Sequence, residues 1–197
     1  RGRDGQAGRE DRGAEAGVGA LGLPTAFIGR VHDDALGQFY AKSMQDSGTD
    51  FVNAPVVGGE LPTSRSMIFV SPDGERSMNT YLGISTELGP QDVPEAVASN
   101  SDMIFLEGYL FDKDKGKEAF RQASRLTRAG GGKSGIAISD PFCVDRHRID
   151  FLDMIGNELD YVIGNQFEIM SLFETDDLEA AINKTADMIP LMICTKS

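Results

Sequence analysis

Apolar residues recur with two different periods along this chain, and the switches between them mark its elements. TAFIGRV, from Thr25, has the short apolar run of a strand. DDALGQFYAKSMQDSG then sets Leu36, Phe39, Tyr40 and Met44 on one helical stripe. Asp33 or Asp34 stands where a helix cap belongs, and Gly48 stands where the helix should stop. Phe51 to Val57 follows as a further short strand, closed by Gly58 and Gly59. TSRSMIFV and ERSMNTYL flank Ser71-Pro72-Asp73-Gly74, with Pro second and Gly fourth as in a type I turn, so Thr63 to Ile84 predicts a β-hairpin. Met67 and Phe69 face one way on this hairpin and Ile68 and Val70 the other, which asks for an apolar neighbour on both faces.

Beyond Pro94 the alternation becomes regular. DMIFLEG predicts a strand, and DKGKEAFRQASRLTRAGG a helix with Ala119, Phe120, Ala123 and Leu126 inward and Gly130 as its stop. GIAISD predicts a strand, DRHRIDFLDMIG a helix seamed by Ile149, Leu152 and Ile155, and DYVIGN a strand. QFEIMSLF and DLEAAINKTADM read as helical, and PLMICTKS as a strand. Strands alternating with helices predict an α/β fold, a parallel sheet sandwiched by helices. Residues 1–17, RGRDGQAGREDRGAEAG, contain no Val, Ile, Leu, Met or Phe and predict a disordered or non-native segment. The expected organisation is one domain over residues 18–197, with the hairpin at about 60–84 as a small β appendage.

Composition narrows the partners. A chain of 197 residues is long enough for a proper core. A net charge of −12 argues against nucleic acid or an anionic membrane as partner and leaves small-molecule chemistry open. No apolar run reaches the roughly 20 residues of a membrane span. Cys143 and Cys194 match no metal or redox spacing, so free thiols and a cytoplasmic setting are expected.

In an open parallel sheet, ligands bind beyond the carboxyl ends of the strands. Four predicted strands end in polar residues there: Glu107, Ser139-Asp140, Asn165, and Thr195-Lys196-Ser197. Each tip alone has a plain alternative, since strand ends expose backbone groups that side chains satisfy. Asn165-Gln166-Phe167-Glu168 poses the same choice. Asn-x-x-Glu is close to a helix capping box, and the same geometry can hold a hydrated magnesium ion with a phosphate at the helix end. RAGGGKS, residues 128–134, is not a phosphate loop: Thr127 occupies the position of its first Gly, and the segment leads from helix into strand. His32 and His147 match no hydrolase triad or zinc spacing.

Taken in order, AFIGRVHDDALG, TSRSMIFVSPDGERSMNTYLG, FLEGYLFD, SDPFCVDRHR and GNQFE resemble the ribokinase-like, or pfkB, carbohydrate kinases, above all their adenosine-kinase-like bacterial members. The likeness runs from about Val18 to Ser197. It implies a helix-wrapped parallel sheet with a small β lid, and phosphoryl transfer from ATP, with Mg2+, to a primary hydroxyl of an adenosine- or ribose-like acceptor. On these residues it implies that the hairpin is the lid. Met67 and Phe69 would then shield the acceptor or pack a lid-to-lid homodimer. Glu107 and the segment at Asp140 would contact the acceptor, and Phe142 would stack on a base or fill the core. Asn165 and Glu168 would serve the metal and phosphate, and Thr195 and Ser197 the nucleotide. Two family motifs have no match: the N-terminal Gly-Gly-x-x-x-Asn segment that grips the acceptor, and the Gly-Ala-Gly-Asp motif that supplies the general base and anion hole. No catalytic base can therefore be assigned, and the expectation is an incomplete, inactive portion of a kinase. The alternatives are a non-catalytic remnant that binds sugar or nucleoside or pairs through its lid, and a dehydrogenase, which the missing Gly-x-Gly-x-x-Gly disfavours.

Overall fold

The computed structural model describes residues 14–196 and divides into two compact units at Ser85 and Thr86. The first unit opens with helix α1 (Ala14–Ala20), which packs on the first two strands. Its first four residues belong to the stretch expected to be disordered. Ala14, Glu15 and Ala16 have high helix propensity, which favours a helix despite the absence of large apolar groups. The remainder of that expectation, residues 1–13, lies outside the described residues.

Strand β1 (Thr25–Phe27), helix α2 (Ala35–Asp46) and strand β2 (Thr49–Phe51) form a parallel pair with its crossover, Phe27 opposite Phe51. Asp34, not Asp33, caps α2: its carboxylate accepts from the Gly37 N–H at 2.8 Å and from the Thr63 N–H and hydroxyl at 2.9 and 2.7 Å. Those bonds, the Thr63 N–H foremost, hold the Asp34 carboxyl down to about 2. The core of this unit is Val31, Met44 and Phe51 with Phe27, Tyr40 and Ala41, Phe27 stacked on Phe51 at 5.5 Å. The inward face of α2 is therefore Gly37, Tyr40, Ala41 and Met44, whereas Leu36 and Phe39 are exposed, unlike the predicted stripe. The strand expected over Phe51 to Val57 shortens to Thr49–Phe51 and an isolated bridge from Val56 to His32. Pro55 within that run has no N–H to give a ladder.

Strands β3 (Arg65–Val70) and β4 (Arg76–Tyr81) form the predicted hairpin, with Met67 opposite Asn79 and Val70 opposite Arg76. Gly74 takes a φ of +89° and donates to the Ser71 carbonyl at 2.9 Å, a turn whose twist suits paired strands. Every residue of both strands is exposed.

The second unit holds α3 (Glu95–Ser99), β5 (Met103–Glu107), α4 (Asp114–Ala129), β6 (Lys133–Ala137), α5 (Pro141–Asn157), β7 (Tyr161–Asn165), α6 (Gln166–Leu172), α7 (Leu178–Met188) and β8 (Leu191–Thr195). The strands form one parallel sheet in the order β5-β6-β7-β8, with α4 against β5 and β6, α6 against β7 and β8, and α7 against β8. This is the predicted α/β architecture with flanking helices. Ala119, Phe120 and Ala123 face inward on α4 as expected.

Helix α5 departs from expectation twice. It starts at Pro141, because Asp140 caps it and Pro suits the first turn. Its inward residues are Cys143, Val144, Phe151, Met154 and Ile155, while Ile149 is 84% exposed. Ile149 stands two residues, about 200°, around the helix from Phe151, and non-helical dihedrals at His147 reset the phase before it. Phe151 stacks on Phe111 at 4.2 Å with the rings parallel, and both are fully buried.

Candidate functional site

The register of the parallel sheet sets Glu107 beside Ala137, Ala137 beside Ile163, and Asn165 beside Thr195. The polar tips predicted from sequence thus lie along one edge of the second unit.

At the first two tips, the Ser139 hydroxyl donates to Glu107 Oε1 at 2.6 Å, and the Tyr109 hydroxyl donates to the Ser139 carbonyl at 3.3 Å. Gly108 between them permits this approach: a Cβ there would lie 2.6 Å from the Ala137 carbonyl oxygen and 2.9 Å from Ser139 Oγ. Asp140 accepts from the Cys143 N–H at 2.9 Å as the cap of α5. Phe142, the second residue of that helix, is 75% exposed, so it is not a core residue and presents its ring at the edge. Cys143 is buried, and burial with nearby Asp140 pushes its thiol up to about 11, which leaves it unreactive.

Asn165 and Glu168 form a complete capping box. Asn165 Oδ1 accepts from the Phe167 and Glu168 N–H groups at 2.8 and 3.0 Å. Glu168 Oε2 accepts from the Asn165 N–H at 2.9 Å and its Oε1 from the Asn165 amide at 2.5 Å. Asn165 is thus committed to holding the helix start and the Glu168 carboxylate. Glu168 is buried, and burial first, then the charge of Asp140, raises its carboxyl pKa. Burial, then Asp140, Glu107 and Glu168, raise the Tyr109 phenol, so these three carboxylates act on one point. Among the described residues no ion pair reaches Glu168 or Asp140, and no three His, Cys, Asp or Glu side chains could together hold a metal.

Of the remaining candidates, Thr195 is exposed at the tip of β8, and Ser197 lies outside the described residues. Met67 and Phe69 are 57% and 60% exposed on one face of the hairpin, in the first unit. Sequence inspection overlooked Tyr109 and the part played by Ser139. An aromatic two residues past an acidic strand tip was a usable signal for Tyr109; nothing in a Ser-Asp-Pro string announces how Ser139 bends. No helix among the described residues is long and apolar enough to cross a membrane.

Comparison with known proteins places the chain in a family. The family model for pfkB carbohydrate kinases matches residues 16–195. The crystal structure of adenosine kinase from Sinorhizobium meliloti superposes with a TM-score of 0.88 at 42% identity, covering 92% of this chain and 55% of that one. A putative ribokinase II from E. coli, solved with ATP and Mg2+, superposes with a TM-score of 0.79, covering 91% of this chain and 59% of that one. At 17% identity it attests the fold alone. The 5-dehydro-2-deoxygluconokinase of Halalkalibacterium halodurans is 26% identical over 157 residues, 77% of this chain and 47% of that protein. The chain therefore spans about half the length of the relatives it matches. The match over nearly all of its residues and the ribokinase-like fold lead to one conclusion: the chain belongs to the pfkB family of carbohydrate kinases.

Proposed function

We propose that this protein takes part in ATP- and magnesium-dependent phosphoryl transfer to a primary hydroxyl of an adenosine- or ribose-like acceptor. The observation that carries this is the gathering of Glu107, Tyr109, Asp140 and Glu168 at the carboxyl edge of one parallel sheet. Phosphoryl transfer asks the protein mainly for positioning and charge stabilisation. Glu107 accepts from acceptor hydroxyls, Asp140 borders the same position, and the exposed Phe142 ring stacks on a base where the acceptor has one. Glu168, held by Asn165, holds a hydrated magnesium ion. When bound, that ion neutralises phosphate charge. Thr195 supplies a hydroxyl donor to the nucleotide. Met67 and Phe69 on the hairpin offer an exposed apolar face of the first unit.

The sequence contains no Gly-Ala-Gly-Asp motif to supply the general base, so these 197 residues alone should bind without turnover. NMR titration of the isotope-labelled polypeptide tests the proposal. Adenosine or D-ribose should shift resonances of Glu107, Tyr109, Asp140 and Phe142 saturably. MgATP should shift those of Asn165, Glu168 and Thr195, with no ADP formed. A folded chain whose edge ignores all three compounds would sink the idea. The full exposure of both hairpin faces favours a second role, pairing of two copies through the lid.

A further inference from the structure

Ser139 adopts a backbone conformation that a side chain resists. Its φ is 72°, and Glu174 is the other non-glycine residue with positive φ among the described residues. The Asp140 N–H donates to the Ile138 carbonyl at 3.0 Å. A bond spanning one residue with positive φ closes the rarer, strained form of γ-turn about Ser139. Such strain persists only where surrounding contacts impose it, and it concentrates at functional sites.

The turn has a definite product. It throws the Ser139 hydroxyl back across the tip of β6 to Glu107 Oε1 at 2.6 Å, with the Ala137 carbonyl at 3.3 Å, and it presents the Ser139 carbonyl to the Tyr109 hydroxyl. The fit is close on both sides, because any Cβ at Gly108 would press on Ala137 and Ser139. We infer that Ser139 is a positioning residue that fixes the Glu107 carboxylate and the Tyr109 phenol as a paired clamp for the hydroxyls of the acceptor. This inference rests on the kinase function proposed above. A carboxylate and a phenol held in advance lose less conformational freedom when a polyol arrives than two untethered side chains would.

The test uses the whole 197-residue chain with Ser139→Ala, Ser139→Gly, Glu107→Gln and the Ser139→Ala/Glu107→Gln double variant. D-ribose and adenosine are the acceptor probes and MgATP the control. Both Ser139 variants should weaken acceptor binding about tenfold, the scale of one hydrogen bond to a charged group, and leave MgATP affinity unchanged. In the Glu107→Gln background the Ser139→Ala loss should shrink, because the amide oxygen that remains accepts only a weaker, uncharged bond from Ser139. Ser139→Gly should melt above Ser139→Ala, since glycine accepts a positive φ freely, so it carries the binding test if the alanine variant fails to fold. Full acceptor affinity in both Ser139 variants, or losses that simply multiply in the double variant, would overturn the inference. With Glu107→Gln still impaired, the kinase function would stand. Wild-type protein that binds neither acceptor, or Glu107→Gln that binds as wild type, would overturn both.

Discussion

The β3–β4 hairpin and the β5–β8 sheet are both written in strand-forming residues, but they spend them differently. In the sheet, Leu106, Ile136 and Val162 are buried, and only the outer strands still expose Met103, Leu191 and Ile193. In the hairpin, Met67, Phe69, Val70 and Met78 are each more than half exposed, and neither face is covered. The inner strands of the sheet consume their apolar surface in the stability of the unit. The hairpin holds its apolar surface in reserve, as a surface meant for an acceptor or a second copy would. Stability and function should therefore separate between the two regions.

The largest effect belongs to the sheet unit. Phe151→Ala removes a fully buried ring stacked on Phe111 and should cost about 3–5 kcal/mol, read as a lowered urea midpoint. A loss below about 1 kcal/mol would show that this core is looser than its packing implies. Asn165→Ala opens the capping box of α6 and should cost about 0.5–2 kcal/mol while also weakening MgATP binding. Loss of stability with intact MgATP binding would reduce this motif to a cap.

The pH dependence is smaller and has a definite sign. Glu168 has a raised pKa in the fold, so the folded state holds its proton more tightly than the unfolded one. Its contribution is present below the ordinary carboxylate pKa and is lost as pH rises through the raised value. Glu168→Gln should flatten that decline in melting temperature, and added Mg2+ should protect the wild type more than the variant. An unchanged slope would place the origin elsewhere. Smallest on stability is Met67→Ser with Phe69→Ser, expected within about 0.5 kcal/mol for exposed positions. The same pair should weaken acceptor binding or shift a dimer to monomer in sedimentation. A large destabilisation would mean that the hairpin is packed after all.

Much of this was legible beforehand. The hairpin turn, the strand tips Glu107, Asn165 and Thr195, and the Asn165 to Glu168 box follow from residue types at fixed offsets, whose physics is local. Errors arose where phase or packing ruled. Leu36, Phe39 and Ile149 fit a helical stripe on paper, but Gly37 and the His147 irregularity turned other residues inward. Phe142 could have been a core ring or an edge ring, and only burial distinguishes them.

By itself the sequence determined the alternation of elements, the composition of the edge and the family, because periodicity, capping and turn chemistry depend on neighbours a few positions apart. Tertiary structure alone decided that Ser139 reaches Glu107, that Tyr109 joins them, and that the hairpin keeps both faces exposed. Those facts depend on residues up to 32 positions apart in the chain, brought together by sheet register and a strained turn that no short stretch of residues encodes.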